Sequence, residues 1–185
     1  MKIPIIASLL LALTATAFTQ TAAPAPPVAP AKPAIQPNQL VLDVRVTGSK
    51  RSQETHAVKG ALSHVTVVTN STSLAITVTN RGTETAVSDV KWFWVGKDLA
   101  TGKVVKVSEG GKSGPITGKG SELIKADSSE TESYQKGFDT KNYGVKPEGW
   151  VVILKDGDKV LASKTSLNSM EKYVKAPPEA MPKAK

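Results

Sequence analysis

The chain has 185 residues, 24 Lys plus Arg against 16 Asp plus Glu, 2 His, no Cys, and only 5% aromatic residues. That is material for one domain. Without sulfur, thiolate zinc sites, CxxC redox chemistry, cysteine nucleophiles and disulfide scaffolds are all excluded, and so is a bacterial lipoprotein anchor, which needs a Cys at its cleavage point.

The N-terminus carries the most specific signal. Met1-Lys2 is a basic start, Ile3 to Leu13 is apolar apart from Pro4 and Ser8, and Ala15-Thr16-Ala17 is a small-x-small cleavage site. Residues 1–17 read as a cleavable signal peptide, because the apolar run falls well short of the roughly 20 residues that span a bilayer. Export to the periplasm or the exterior is therefore expected, with no membrane span left after cleavage.

Residues 18–37 shift to Ala and Pro, with Pro24, Pro26, Pro27, Pro30, Pro33 and Pro37 too closely spaced for helix or sheet. This predicts an extended, disordered linker. A folded domain over 38–174 follows, and residues 175–185 repeat the Pro, Ala and Lys character of a disordered tail. From Asn38 to Val174 there are 19 basic and 15 acidic residues, a net of +4. Lys103, Lys106, Lys112, Lys119 and Lys125 recur at wide intervals with Glu109 and Glu122 among them, which is a mixed solvated surface and not a nucleic-acid stripe.

Inside the domain, period-two alternation dominates. Leu40, Leu42, Val44 and Val46 form one apolar strand face; Val65 and Val67 form another; Leu74, Ile76 and Val78 point inward between Ser, Ala and Thr. An aromatic strand follows at Val90–Val95, then Val104–Val107, Glu122–Lys125, Ser133–Phe138, Trp150–Leu154 and Val160–Ser163. Asn80-Arg81-Gly82 reads as a turn with Gly82 free to take a positive φ. Asp156-Gly157 reads as a two-residue hairpin turn setting Lys155 opposite Asp158 and Ile153 opposite Val160, since the next register would oppose two lysines. One helix is signalled, with Asn168 as N-cap, Glu171 completing a capping box, and a stripe of Met170, Tyr173 and Val174 lying across the sandwich end. The fold class is thus all-β, a single antiparallel immunoglobulin-like sandwich of about 7–9 strands with one short C-terminal helix.

The stretch Leu74-Ala75-Ile76-Thr77-Val78-Thr79-Asn80-Arg81-Gly82, followed by Val87-Ser88-Asp89-Val90, resembles the apolar strand, Asn, Gly and V-x-x-V signature of bacterial extracellular immunoglobulin-like modules, such as CARDB and fibronectin type III-like domains. The resemblance implies a sandwich used for adhesion, spacing or binding, and carries no functional residues across.

Candidate chemistry is sparse. Gly114-Pro115-Ile116-Thr117-Gly118-Lys119-Gly120 is one residue short of a phosphate loop and lacks Ser or Thr after Lys119; with Glu109–Lys112 it reads as a long flexible loop. Asp156-Gly157-Asp158 lacks the repeated oxygen ligands of a calcium site. Asp127, Glu130, Glu132 and Asp139 fall in a Ser-rich segment that reads as a solvated loop, and Asn70-Ser71-Thr72 matches a glycosylation acceptor in a chain of bacterial character. No catalytic residue, metal ligand or cofactor is assigned.

The aromatics carry the one site reading. Alternation puts Val90, Trp92 and Trp94 on one face and Lys91, Phe93, Val95 and Lys97 on the other, and the lysines mark the second face as the wetter. That places the two Trp in the core. The alternative turns Trp92 and Trp94 outward as a stacking platform, with Trp150, Tyr134 or Tyr143 nearby; either way, one face of this strand is expected at the surface. The functional expectation is a non-catalytic binding or structural module engaging an envelope polysaccharide or another envelope protein. Its alternatives are a small hydrolase or metalloenzyme using His56 and His64, which requires the two imidazoles to converge, and a chaperone or inhibitor offering an unprotected edge strand to a client.

Overall fold

The computed structural model describes residues 35–36, 38–57, 64–128, 130–136 and 142–180. The expected signal peptide (1–17), the linker except Ile35 and Gln36, Asp139, and the tail beyond Ala180 lie outside the described residues.

Among the described residues eight strands occur in chain order: β1 (Leu40–Ala57), β2 (His64–Asn80), β3 (Ala86–Asp98), β4 (Val104–Ile116), β5 (Ser121–Asp127), β6 (Thr131–Lys136), β7 (Asn142–Asp156) and β8 (Lys159–Thr165). All pair antiparallel. In the first sheet β1 runs along one side of β2, while the other side of β2 takes β5 against Ser73–Thr79 and β6 against Val65–Asn70. The second sheet has the order β4-β3-β7-β8. Strand β7 belongs to both: Asn142–Gly144 pair with β6, and the rest pairs with β3 and β8. Gly144 makes this switch with φ +85, and a Cβ there would run into the carbonyl oxygen of Glu132, so only glycine fits.

The core follows from alternation. Leu40 and Leu42 from β1, Leu74, Ile76 and Val78 from β2, and Ile124 and Ala126 from β5 meet Ala86, Val90, Trp94, Ile116, Val152 and Leu154 from the second sheet. Each set takes every second residue of its strand, so one face of each sheet is removed from water. Burial of each Leu, Ile or Val contributes about 1.5–3 kcal/mol against the entropy of ordering the chain.

A second apolar cluster lies on the outer face of the second sheet, where Met170 covers Phe93, Val95, Val151 and Ile153, flanked by Val104, Tyr173 and Val174. Strands β3 and β7 are therefore buried on both faces, which accounts for the unbroken apolar run Trp150–Leu154. The cover is a 3-10 turn, Asn168–Met170, followed by the one-turn helix α1, Lys172–Lys175. This corrects two expectations. The segment lies on the sheet face and not across the sandwich end, and no capping box forms. The Glu171 N–H bonds the Asn168 carbonyl at 3.1 Å, so Asn168 sits inside the turn, and Leu167, with no side-chain cap, precedes it. Of the expected tail, Lys175 ends α1, and the Glu179 carbonyl accepts from the Lys106 N–H at 2.8 Å, laying Ala180 parallel to the free edge of β4.

The turns differ from expectation in detail. At the end of β2 the working residue is Asn80, fully buried, and not Gly82, which has no positive φ. The Asn80 amide donates to the carbonyls of Glu84 (2.7 Å) and Ile116 (3.0 Å), while its Oδ1 accepts from the Gly82 N–H (2.9 Å) and the Gln39 side chain (3.3 Å). The β7–β8 hairpin turns one residue later than the charge argument placed it. Asp156 is opposite Lys159, Lys155 is opposite Val160, and Gly157 takes φ +59 at the first loop position. Opposite charges still face each other across the turn, so the same physics is satisfied in a register that also gives glycine the left-handed position. A bulge at Leu161 then sets Ile153 against Ser163.

Candidate functional site

The aromatic strand does not present a platform. Phe93 and Trp94 are buried, Trp94 in the inter-sheet core and Phe93 beneath Met170, so neither offers a ring face to a ligand. Trp92 and Trp150 are half-buried and pack against the same inter-sheet core, Trp150 directly opposite Trp94. On the face that the lysines mark as wet, the C-terminal segment covers Phe93 and Val95 while Lys91 and Lys97 stay exposed, and on the other face Trp92 is only half-buried. The Trp94 indole N–H is buried with no hydrogen-bond partner among the described residues.

Glu109–Ile116, expected as a flexible loop, is the second half of β4 and pairs with Ala86–Phe93. Its glycines have a packing reason. Gly110 stands opposite Trp92, and a Cβ on it would sit 2.6 Å from the indole ring. The glycine makes room for the ring, and the ring covers the backbone that the glycine bares. Pro115 is tolerated because β4 is an edge strand.

The two imidazoles do not converge. His56 is opposite Val65 and His64 is opposite Ala57, one position along the same ladder, so they project from opposite faces of the sheet. His56 instead meets its neighbour on the same strand face, Glu54, at 3.3 Å. Asp127 and Glu130 line a polar depression of about 330 Å³ with Lys50 and Ser71, while Glu132 lies farther along β6. Asn70–Thr72 sits within β2. A second depression of about 530 Å³ opens between the start of β1 and β8, with Leu40, Leu42 and Leu161 at its base and Arg81 and Lys159 at its rim. Asp98 closes the β3–β4 turn: its Oδ1 accepts from the N–H groups of Ala100 (2.8 Å) and Thr101 (2.9 Å). The Thr101 bond leads in holding this carboxyl below its ordinary range.

What the sequence does not announce is a sheet extension. Only Leu40 and Leu42 of β1 are buried, and none of His64–Ser73 of β2 is. The 17 residues of β2 span about 55 Å at strand rise, and the apolar core is confined to the half from Leu74 onward. Beyond it, Gly48–Ala57, His64–Ser73, β6 and the start of β7 form a continuation of the first sheet.

Residues directly opposite one another share a face, which fixes the surface of this extension. One cross-strand row is Glu54, Val67, Tyr134 and Tyr143; the next toward the tip holds His56 and Val65, and the one toward the sandwich holds Ser52, Thr69 and Glu132. Odd-numbered β2 residues face away from the core throughout, since Leu74, Ile76 and Val78 face it, so this is the outer face. The two tyrosine rings stack with centroids 5.5 Å apart and planes inclined by 18°, each half-buried. On the opposite face the hydroxyls of Thr55 and Thr66 share a hydrogen bond at 3.3 Å. The outer face thus offers an aromatic pair and two valines bordered by carboxylates, hydroxyls and the His56 imidazole, a surface suited to stacking and hydrogen bonding.

No family model matches the chain, and no curated protein matches it. Among solved structures the chain is similar to Northeast Structural Genomics Consortium target SoR45, at 15% identity over 62% of this chain and 87% of that one, with a TM-score of 0.27. It is also similar to a protein from Akkermansia muciniphila, at 9% identity over 74% of this chain and 76% of that one, again with a TM-score of 0.27. Likenesses at this TM-score carry no argument. The all-β sandwich stands on the chain's own strands, and no helix among the described residues is long and apolar enough to cross a membrane.

Proposed function

We propose that this chain is an exported, non-catalytic binding module that engages an envelope polysaccharide through the outer face of its sheet extension. The observation that carries the reading is the Tyr134–Tyr143 stack on that face, beside Val67 and between the polar groups Glu54, Ser52, Thr69 and Glu132. Sugars present apolar C–H faces and a rim of hydroxyls, so aromatic rings flanked by carboxylates and hydroxyls complement them. Export rests on the basic, apolar and small-residue order of residues 1–17. The strand order, β1-β2-β5 on one side and β4-β3-β7-β8 on the other, supports the wider class of bacterial extracellular immunoglobulin-like modules resembling CARDB and fibronectin type III-like domains.

The alternatives draw less support. Histidines on opposite faces give a hydrolase or metal site no shared centre. Edge strands that carry Lys50 and Arg51, Lys106 and Lys112 with Pro115, and Lys159 and Lys164 are guarded against indiscriminate client strands.

The test is co-sedimentation and calorimetry of the purified chain with peptidoglycan and a panel of envelope polysaccharides, alongside Tyr134→Ala and Tyr143→Ala. Binding to one polymer that drops roughly tenfold in either variant, as loss of a stacking partner requires, supports the reading. Binding that survives both substitutions, or no binding to any polymer, sinks it.

A further inference from the structure

The outer edge of β1 is a second surface, and its occupant is written in its charges. From Gly48 to Ala57 the strand pairs with β2 residue for residue, with no bulge after the irregularity between Val46 and Gly48. Among the described residues β1 is the terminal strand of its sheet, so its other edge presents backbone N–H and C=O groups that no described strand pairs. All of Lys50–Ala57 are exposed. Lys50 makes no ion pair among the described residues, and Glu54 meets only His56.

We infer that two copies of this chain pair antiparallel through this edge, centred on Ser52. A two-fold axis normal to the sheet keeps each face on its own side, so only residues of equal parity can stand opposite each other. Centring on Ser52 sets Lys50 of each copy opposite Glu54 of the other, Arg51 opposite Gln53, and His56 opposite Gly48, where no side chain competes with the imidazole. The neighbouring registers fail on charge: centring on Arg51 opposes two arginines, on Lys50 two lysines, and on Glu54 two glutamates. Centring on Gln53 makes no acid–base pair and sets Lys50 against His56. Like charges directly opposite are destabilising, so of the registers centred from Lys50 to Glu54 the Ser52 register alone pairs acid with base, and the guard that repels a general client strand admits a second copy.

The same axis continues the outer face of one extension into that of its partner, so the two tyrosine pairs come to lie on one surface. The dimer does not depend on the polysaccharide reading, and each fails or stands by its own measurement. An edge of about nine residues is smaller than the standard interface, so the dimer is expected to be weak, forming at roughly 0.1 mM. High salt loosens it, because its register rests on exposed ion pairs.

Sedimentation equilibrium of the purified chain from about 10 µM to 1 mM tests the inference, the range being that of a weak interface. The wild type is expected to dimerise. Lys50→Glu alone and Glu54→Lys alone each turn both cross-strand pairs repulsive and weaken the dimer roughly tenfold or more. An equimolar mixture of those two variants regains it as a heterodimer, because every acid then faces a base. Both positions are exposed, and unchanged circular dichroism confirms that each variant is folded. A wild type that stays monomeric at 1 mM, variants that dimerise as well as the wild type, or a mixture no tighter than its components overturns the inference.

Discussion

The side-chain amide of Asn80 donates to the main-chain carbonyl of Ile116 at 3.0 Å, across 36 positions of sequence. Asn80 ends β2 in the first sheet and Ile116 ends β4 in the second, so one buried side chain ties the two layers at their shared end. The same group fixes the turn through Gly82 and Glu84 and holds Gln39 before β1. A side chain of this shape, with two donors and an acceptor, is what the four contacts require.

Asn80→Ala should therefore deprive the buried Ile116 carbonyl and the part-buried Glu84 carbonyl and Gly82 N–H of their side-chain partner, at a cost of about 3 kcal/mol. Urea denaturation should show a lower midpoint at unchanged slope. Asn80→Asp should cost at least as much at neutral pH, because a carboxylate would face two carbonyl oxygens. A loss under about 0.5 kcal/mol in both variants, the range of a plain surface change, would contradict the tie.

Met170→Ala should cost about 2–4 kcal/mol, the usual range for a buried methionine over a packed face. Its signature is local as well as global. Phe93 and Val95 lose their cover, so amide exchange should accelerate in Asn168–Lys175 and in the Lys106–Ala180 pairing before the inter-sheet core responds.

Trp94→Phe separates volume from hydrogen bonding. The indole N–H has no partner among the described residues, so removing it relieves a desolvated donor while the ring still fills most of the space. The expected change is within about 1 kcal/mol, against about 3–5 kcal/mol for Trp94→Ala. A thermal melt of both variants decides it, and a loss of similar size in the two would mean that the N–H is bonded in solution.

Asp98 gives the chain a small acid-sensitive contribution to stability. Its folded-state carboxyl is held below the ordinary value of 3.8, chiefly by the Thr101 N–H, so the charged form favours the folded state. That contribution is complete above 3.8 and disappears as pH falls through the lower, folded value. Asp98→Asn keeps the turn acceptor without the charge. Its stability deficit relative to wild type should be constant from neutral pH to about 5 and shrink on further acidification.

Much of the sandwich is readable from alternation, because Leu74, Ile76 and Val78 or Leu40 and Leu42 bury one face and leave the other to Thr and Asp. The signal fails where burial is not one-sided. Ser49–Ala57 is polar on both faces and has no apolar period to detect, although it is strand. Gly110 and Gly111 read as loop because the reason for Gly110, the ring of Trp92, is 18 residues upstream. The covering of Phe93 by Met170 joins positions far apart in sequence, and no local pattern at Lys91–Lys97 reveals it. Tyr134 and Tyr143 are plain in the sequence as aromatics, but their stacking depends on the register of β6 with β7.

Strand β7 answers to three neighbours, β6 in one sheet and β3 and β8 in the other. Among the described residues the distal half of β1 answers to β2 alone. In isotope labelling the amides of Trp150–Leu154 should release their protons only when the whole molecule opens, while those of Gln53–Ala57 exchange through fraying of a single ladder. The molecule is thus graded from a rigid root to a yielding tip, and a load on the tip would peel β1 from β2 one hydrogen bond at a time before it reached the root.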